Sequence, residues 1–453
     1  MTDELDYADA ADAVYRSLLE RVGEAAPEPR LGATRRAVEI LGDPHRAAPV
    51  IHITGTNGKT STSRMIESIL RAGGLRTGLM TSPHLERFTE RILIDGEPVA
   101  DEAVARNWEE IEPFIAIVDA ELDAAGEPRL TFFETLTALA FACFADAPVD
   151  VVVLEVGMGG EWDSTNVADG QVAVFTPIDL DHESALGTTI EEIARTKAGI
   201  IKPEAAVVTA FQSPEALTVL RDATADQGGT FAVEGGGFAV LDSRVAVGGQ
   251  LISVKGLAGD YRDLALPLFG RHQAENAAVA IAAVESFLGA GTMRLADEVL
   301  QQGLGGVTSP GRLQMVGTEP PVLVDAAHNP HGAASLAAAL GEYFDFDEVA
   351  FVLGVLAGKD VEGIVGALAP LATRFIVTVP DSDRAIRADE LAASVSRAAG
   401  ADRVEAVERL DDALDEARAW AEAGPKRAVV VAGSIVLVGE AIGIAADREW
   451  GRA

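Results

Sequence analysis

Cysteine is almost missing: Cys143 is the only one in 453 residues, which excludes an intramolecular disulfide framework and any multi-cysteine zinc site and fits a reducing compartment. A single small apolar thiol reads as a core residue. Positive charge is scarce too. Thirty-six Lys and Arg stand against 71 Asp and Glu, a formal net charge of −35, so a basic nucleic-acid-binding surface is excluded as the general character of the protein. Only six residues are lysines, at 59, 197, 202, 255, 359 and 426, which makes each one worth locating. No apolar run reaches the ~20 residues that a membrane helix needs. The acidic opening segment MTDELDYADAADAVYRSLLE has neither the basic start nor the apolar stretch of a signal peptide. These absences lead us to expect a soluble, cytoplasmic protein with no nucleic-acid or membrane partner.

What is present is ordinary globular material. With 48% apolar and 24% charged residues, the acidity decorates a chain able to bury real cores. At about 150 residues per domain, two or three domains are expected. Short β-branched runs alternate with longer helical patterns, the signal for parallel strands with crossover helices. Strands are predicted at Pro49–Ile53, Val149–Glu155, Val172–Thr176, Ala206–Phe211, Pro321–Asp325, Val349–Leu353, Arg374–Val379 and Ala428–Val431. Their continuous apolar character suits strands covered on both faces. The stretch Gly228–Pro267 has short strand-like pieces between glycines and reads as a β-rich insertion. Glycines, Ser309 and Pro310 break the pattern near Gln302–Pro310, which predicts an N-terminal domain 1–308 and a smaller C-terminal domain 309–453. In the latter, Gly332–Leu340 and Leu410–Ala423 read as packing helices.

The strongest local signal is PVIHITGTNGKTSTSRMIESIL from Pro49. An apolar strand runs into Gly55-Thr56-Asn57-Gly58-Lys59-Thr60-Ser61 and then into a helical pattern. Glycines let backbone N–H groups converge on phosphate oxygens, the helix N-terminus adds partial positive charge, and Lys59 adds a full one. Only two residues separate Gly55 from Gly58, so the full Walker A spacing is absent. Strand, loop, Lys-Thr and helix together still point to phosphate binding. Glu155 ends an apolar strand that opens into Gly157-Met158-Gly159-Gly160, where α/β sheets place ligand chemistry and where a carboxylate can serve a hard cation such as Mg²⁺.

This loop resembles that of the folylpolyglutamate synthase and dihydrofolate synthase family, a branch of the Mur ligase-like ATP-dependent amide-forming ligases. Thr60 replaces the glycine usual after the lysine, leaving open whether Thr60 or Ser61 faces a metal. Further elements follow in family order: Ser82-Pro83-His84-Leu85, Glu90-Arg91-Ile92, Thr131-Phe132-Phe133-Glu134, Asp179-Leu180-Asp181-His182, Lys197-Ala198-Gly199-Ile200, Gly270-Arg271-His272-Gln273 with Asn276, Pro310-Gly311-Arg312, Asp325-Ala326-Ala327-His328-Asn329-Pro330 and Gly358-Lys359-Asp360. Taken alone, a histidine after SP or after a strand reads as a loop residue, Phe133 as a core aromatic, and Lys197 as an exposed salt-bridging lysine. Glu161, in EWDSTN, stands where the family usually has arginine, and Thr196 where it usually has glutamate.

The resemblance implies an α/β, Mur ligase-like fold, with a P-loop-containing central parallel-sheet domain and a smaller C-terminal Rossmann-like domain. It implies nucleotide binding by Gly55, Thr56, Asn57, Gly58, Lys59, Thr60, Ser61, Asn276, Arg312, Asp325 and His328. Two Mg²⁺ sites are implied, drawing on Thr60, Ser82, Glu155, His182 and Lys197, the last carbamylated by CO₂. Arg91, Thr131 and Phe133 are implied in binding the pterin-containing substrate, and Lys59, Lys197 and His182 in catalysis. The implied activity joins L-glutamate to dihydropteroate or a reduced folate with ATP, through an acyl phosphate, in a cleft between the two domains of a monomer. A Mur-type ligase of a UDP-sugar peptide, or an ATP-binding protein with impaired catalysis, are the other readings.

Overall fold

A computed structural model of the chain describes residues 2–23 and 28–451. Two compact units are present. One comprises 1–244, 251–266 and 274–307, and the other 245–250, 267–273 and 308–453.

The first unit is organised on an eight-stranded sheet. Its strands are β1 (Val50–Thr54), β2 (Thr77–Met80), β3 (Ile92–Ile94), β4 (Glu97–Pro98), β5 (Val151–Glu155), β6 (Gly170–Phe175), β7 (Ala206–Thr209) and β8 (Thr230–Val233). They lie in the order β4-β3-β2-β5-β1-β6-β7-β8. The central strands are parallel, with Ile51 of β1 opposite Val153 of β5 on one side and Val172 of β6 on the other. β1 and β5 are buried along their whole length, as β-branched runs covered on both faces should be. From β1 the chain crosses to β2, returns through β5, and then passes to the far side at β6. That reversal beside β1 opens a crevice at the carboxyl ends of the strands, where such sheets bind ligands.

A separate three-stranded sheet follows, built from β9 (Ala239–Ala246), β10 (Gly249–Lys255) and β11 (Asp260–Leu266) in the order β11-β10-β9. It occupies the stretch whose glycines predicted a β-rich insertion. The turn after β10 is held by Glu285, a fully buried carboxylate that accepts from the N–H groups of Leu257 and Ala258 and from the Tyr261 hydroxyl at 2.6–3.1 Å. Cys143 is buried in the core, and burial pushes its thiol up to about 12.

The second unit carries β12 (Gln314–Thr318), β13 (Pro321–Val324), β14 (Glu348–Leu353), β15 (Ala372–Val377), β16 (Val404–Ala406) and β17 (Arg427–Ala432). Their order is β12-β13-β17-β14-β15-β16, with β12 antiparallel and the others parallel. Helices Pro330–Tyr343 and Leu410–Glu422 extend or nearly match the two predicted ones. Several strand ends differ from expectation. β7 stops at Thr209, leaving Phe211 75% exposed, because its N–H turns to the Glu234 carboxylate instead of a neighbouring strand. β15 ends two residues early, at Val377, ahead of Pro380, which has no N–H to give a ladder. The strands β2, β3, β4, β12 and β16 carry too little alternation or length to signal themselves, and four of these five are sheet edges or next to one.

The helix Lys59–Ala72, which leaves the glycine loop, is fixed by close packing. Met65, Ile66, Ile69 and Leu70 are buried on it, and the helix Asp297–Gly305 crosses it at Gly303, where a Cβ would lie 2.7 Å from the Ile69 Cα. Ser68 donates to the Gly303 carbonyl at 2.7 Å. Because backbone rather than a flexible side chain fills that space, Gly303→Val is expected to destabilise the protein by about 3 kcal/mol, read as a lowered urea midpoint, and to weaken ATP binding through the displaced helix.

Candidate active site

Four adjacent strands deliver the predicted residues. The glycine loop follows β1, Ser82 follows β2, Glu155 closes β5, and His182 follows β6. Loop and neighbours are tied together by backbone. The Thr56 hydroxyl donates to the Asp179 carbonyl and accepts from the Asp179 N–H, both at 3.0 Å, and Thr54 donates to the Gly159 carbonyl at 2.7 Å. Gly55 cannot be replaced, because a Cβ there would lie 1.9 Å from the Thr176 hydroxyl. Gly58 has φ +86° and faces Asn276, whose Oδ1 would be 2.7 Å from a Cβ. Asn276 therefore lies against the loop. The helix Lys59–Ala72 begins at Gly58 with no side-chain cap, so its first N–H groups face the loop rather than a capping side chain.

Two lysines converge on one carbonyl. Lys59 Nζ donates to the carbonyls of Gly55 and Thr56 at 3.2 Å, and Lys197 Nζ donates to Gly55 at 2.9 Å. Lys197 is only 3% exposed, unlike the surface ion-pair partner that a lone lysine suggests. Desolvation and then the Lys59 charge bring its pKa down to about 7, against the opposing pull of Asp181 and Asp163. A neutral amine is thus accessible at ordinary pH.

One contact bears on the residue after the loop lysine: Thr60 donates to Glu155 Oε1 at 2.9 Å. Glu155 is 1% exposed. A hydroxyl and a carboxylate at a phosphate loop form the donor set of Mg²⁺, which takes one or two carboxylates and completes its shell with water and substrate phosphates. Ser61 is buried on the same helix turn. Ser82 is half-buried, with a cis bond to Pro83. His182 is exposed, in the left-handed region at φ 52°, with its Nε2 3.9 Å from Asp181.

The pterin-segment residues have structural duties as well. Thr131 is the N-cap of the helix Phe132–Asp146, in a capping box with Glu134. Glu134 is in turn gripped by both arms of Arg30 at 3.0 Å. Phe133 is half-buried, and its ring edge would meet a Cβ at Gly157. Arg91 is 3% exposed, donates to His84 Nδ1 at 2.7 Å and lies over the Phe132 ring. His84 is thus more than a loop histidine: it orients Arg91. Its signal was the pairing of SPHL with ERI, which the bare residues do not explain.

In the second unit Asp325, at the end of β13, accepts from the N–H groups of Leu313 and Ala327 at 2.8 Å, so it shapes the turn before it can reach any ribose. Burial raises its pKa, with Arg312 opposing. His328 Nδ1 is 2.9 Å from the Ala326 carbonyl, a contact that requires the proton on Nδ1. Asn329 caps the helix Pro330–Tyr343.

Sequence reasoning missed His52 and Asn166. His52 interrupts an apolar strand, which was the available signal. Asn166 donates to the carbonyls of Glu161 and Gly199 at 3.0 Å, joining the EWDSTN loop to the end of the Lys197 helix. The two departures from the family pattern meet there: the Glu161 N–H donates to the Thr196 carbonyl at 2.8 Å.

Residues 53–284 match the Mur ligase middle domain, and residues 311–435 the Mur ligase glutamate ligase domain. The chain is 44% identical over 449 residues to a dihydrofolate synthase/folylpolyglutamate synthase of Mycobacterium tuberculosis, covering 94% of this chain and 92% of that one. It is 32% identical over 407 residues to a protein of the same description from Escherichia coli, covering 90% of each. The crystal structure of Mycobacterium tuberculosis folylpolyglutamate synthase with ADP and AMPPCP is similar at a TM-score of 0.92, with 42% identity over 99% of both chains. An E. coli relative in complex with DHPP and ADP gives 0.82, with 30% identity over 96% of this chain and 98% of that one.

The buried lysine predicts a pH signature. Its native pKa lies near 7 and its unfolded value near 10.5. Below pH 7 both states hold the proton and the folded state carries the full cost of a buried charge. Between about 7 and 10.5 only the unfolded state holds it, so stability rises with pH. In metal-free, CO₂-depleted buffer, Lys197→Met is expected to raise the urea midpoint at pH 6, with the gain shrinking by pH 9.

Proposed function

The chain belongs to the dihydrofolate synthase/folylpolyglutamate synthase family of Mur ligases, ATP-dependent enzymes that form an amide C–N bond between glutamate and a folate, and on that premise we propose how its residues carry the reaction. The observation that supports the reading most directly is the meeting of Lys59 and Lys197 at the Gly55 carbonyl, beside the Thr60–Glu155 contact.

Gly55 to Ser61 and the open helix N-terminus cradle the triphosphate, with Asn276 against the loop. Arg312, Asp325 and His328 are assigned to the nucleotide on their motif match. Arg312 offers a planar fork to phosphate oxygens. Thr60 and Glu155 are the residues we assign to a first Mg²⁺, with Ser82 and His182 beside it, and Lys197 to a second. When bound, these ions neutralise charge on the phosphoryl oxygens.

The γ-phosphoryl group passes to the acceptor carboxylate: the P–O bond to ADP breaks as the bond to the carboxylate oxygen forms, giving an acyl phosphate. The neutral α-amine of glutamate attacks the activated carbonyl, loses a proton, and inorganic phosphate leaves as the amide forms. Lys59 faces the transferring group and offsets its charge, so positioning and electrostatics carry the step. Phe133, Thr131 and Arg91 are assigned to the pterin-bearing acceptor. Dihydropteroate and reduced folates are both proposed acceptors, and the enzyme is proposed to act as a cytoplasmic monomer.

Lys197 takes up CO₂ as a carbamate in this reading: the neutral Nζ attacks carbon, one N–C bond forms and one proton is released. The low pKa supports it, since an ammonium has no lone pair to give.

Glutamate-dependent ADP release with dihydropteroate or tetrahydrofolate tests the function, and no turnover with either acceptor overturns it. Lys59→Ala is expected to lower kcat by 100-fold or more, about 2.7 kcal/mol of transition-state stabilisation. Enzyme equilibrated with ¹³CO₂ is expected to show a carbamate carbon resonance that Lys197→Met lacks. An active wild-type enzyme without that resonance counts against carbamylation.

A further inference from the structure

Three buried side chains beside the acceptor residues form a hydrogen-bond chain that the ligase chemistry does not use. His52, in the middle of β1, is fully buried. Its Nε2 is 2.8 Å from Thr165 Oγ1, and Thr165 Oγ1 is 2.5 Å from Asp163 Oδ1. Oδ1 also accepts the Thr165 N–H at 3.0 Å, and Oδ2 accepts the Met158 N–H at 3.0 Å. Thr165 is 0% exposed and Asp163 4%, so water cannot replace any of these partners.

Proton counting fixes the direction of the chain. A threonine hydroxyl has one proton to give, and two arrangements satisfy both contacts. In the first, His52 Nε2–H donates to Thr165, Thr165 donates to a proton-free Asp163 Oδ1, and His52 Nδ1 is a bare acceptor. In the second, a protonated Asp163 donates to Thr165, Thr165 donates to Nε2, and Nδ1 must carry the imidazole proton. Nδ1 is buried with no hydrogen-bond partner among the described residues. A buried orphan N–H is costlier and rarer than an under-used acceptor, so the first arrangement prevails. Desolvation, with the Lys202 charge adding to it, pushes the imidazole pKa down to about 3, so it stays neutral and has one proton to place.

The receiving end of the chain lies at the acceptor platform. A Cβ at Gly157 would meet the Phe133 ring at 2.7 Å and Asp163 Oδ2 at 3.3 Å. The missing side chain therefore leaves ring edge and carboxylate oxygen facing the same space. Burial raises the pKa of Asp163, and the hydrogen bonds from Thr165 and Met158 oppose that rise.

We propose that His52 is a positioning residue of the acceptor site: donating through Thr165, it fixes Asp163 Oδ1 as the proton-free acceptor and keeps Oδ2 turned to the space beside Phe133. The inference rests on the assignment of Phe133 to the pterin-bearing acceptor. His52 touches no reacting atom. It fixes which way the Thr165 hydroxyl points, and so which carboxyl oxygen of Asp163 is tied to the chain and which faces the substrate.

Steady-state kinetics on Thr165→Val, which keeps the shape and removes the hydroxyl, test this. The KM for dihydropteroate is expected to rise tenfold or more while the KM values for ATP and glutamate stay within twofold. Thr165→Ser, which restores the donor, is expected to return the acceptor KM to within threefold of wild type, and His52→Leu to raise it several-fold. A Thr165→Val enzyme with all three KM values unchanged, or all raised alike, overturns the proposal. ¹⁵N NMR of the native protein decides the same point without a variant: the neutral Nε2–H tautomer of His52 is expected from pH 6 to 8, and an Nδ1–H tautomer overturns the chain. If the wild type shows no glutamate-dependent turnover, the functional reading fails separately, and the tautomer still decides the relay.

Discussion

The site depends on one carbonyl. Gly55 has no side chain because Thr176 occupies the place a Cβ would take, and that close approach turns its oxygen toward two ammonium groups. Two like charges a few ångströms apart in a desolvated pocket cannot both be held cheaply. One of them must yield its proton or gain a counter-charge. The more buried of the two, Lys197, is the one whose pKa falls. A carbamate on Lys197 would resolve the conflict by reversing its sign, and phosphate oxygens would resolve it for Lys59. The approach of the two ammonium groups is thus the same feature that suits the loop to anionic ligands.

The rest of the molecule's charge gives that arrangement its meaning. A net charge of −35 repels ATP, glutamate and folate alike, so attraction must be local. Lys426 is spent on a surface pair with Asp345, and Lys202 on the Asn166 carbonyl. Lys59 and Lys197 donate hydrogen bonds to backbone carbonyls at the glycine loop. Carbonyl partners orient an ammonium without cancelling its charge, as a carboxylate would.

Much of this was legible in the sequence, and the reason differs by residue. The glycine loop, Glu155 and the central strands announced themselves because each obeys a local rule: a continuous apolar run, then glycines, then a charge. Burial of Lys197 was not legible from its own segment, since the helix Ile190–Ala198 is amphipathic and acidic at its start, and only the long-range approach to Gly55 hides its amine. His84 and Asn166 act on partners 7 and 33 residues away, beyond what spacing reveals. The edge strands were missed because a two- to five-residue strand is defined by its neighbour's register, not by its own pattern.

Motif residues in this fold carry two kinds of work, and the geometry separates them. Thr131 caps a helix, Asp325 gathers two backbone N–H groups, and Asn329 caps another helix. Each has its polar atoms engaged before any ligand arrives. Glu155 and Lys197, by contrast, bring buried ionisable groups to the loop itself, through the Thr60 hydroxyl and the Gly55 carbonyl. The same distinction explains why Glu161 and Thr196 can depart from the family pattern together. Their contact runs through backbone, from the Glu161 N–H to the Thr196 carbonyl, and Asn166 holds that loop through carbonyls as well. Side chains at both positions can therefore change without moving Lys197, whereas loss of the Asn166 carboxamide would free the loop and helix end at once.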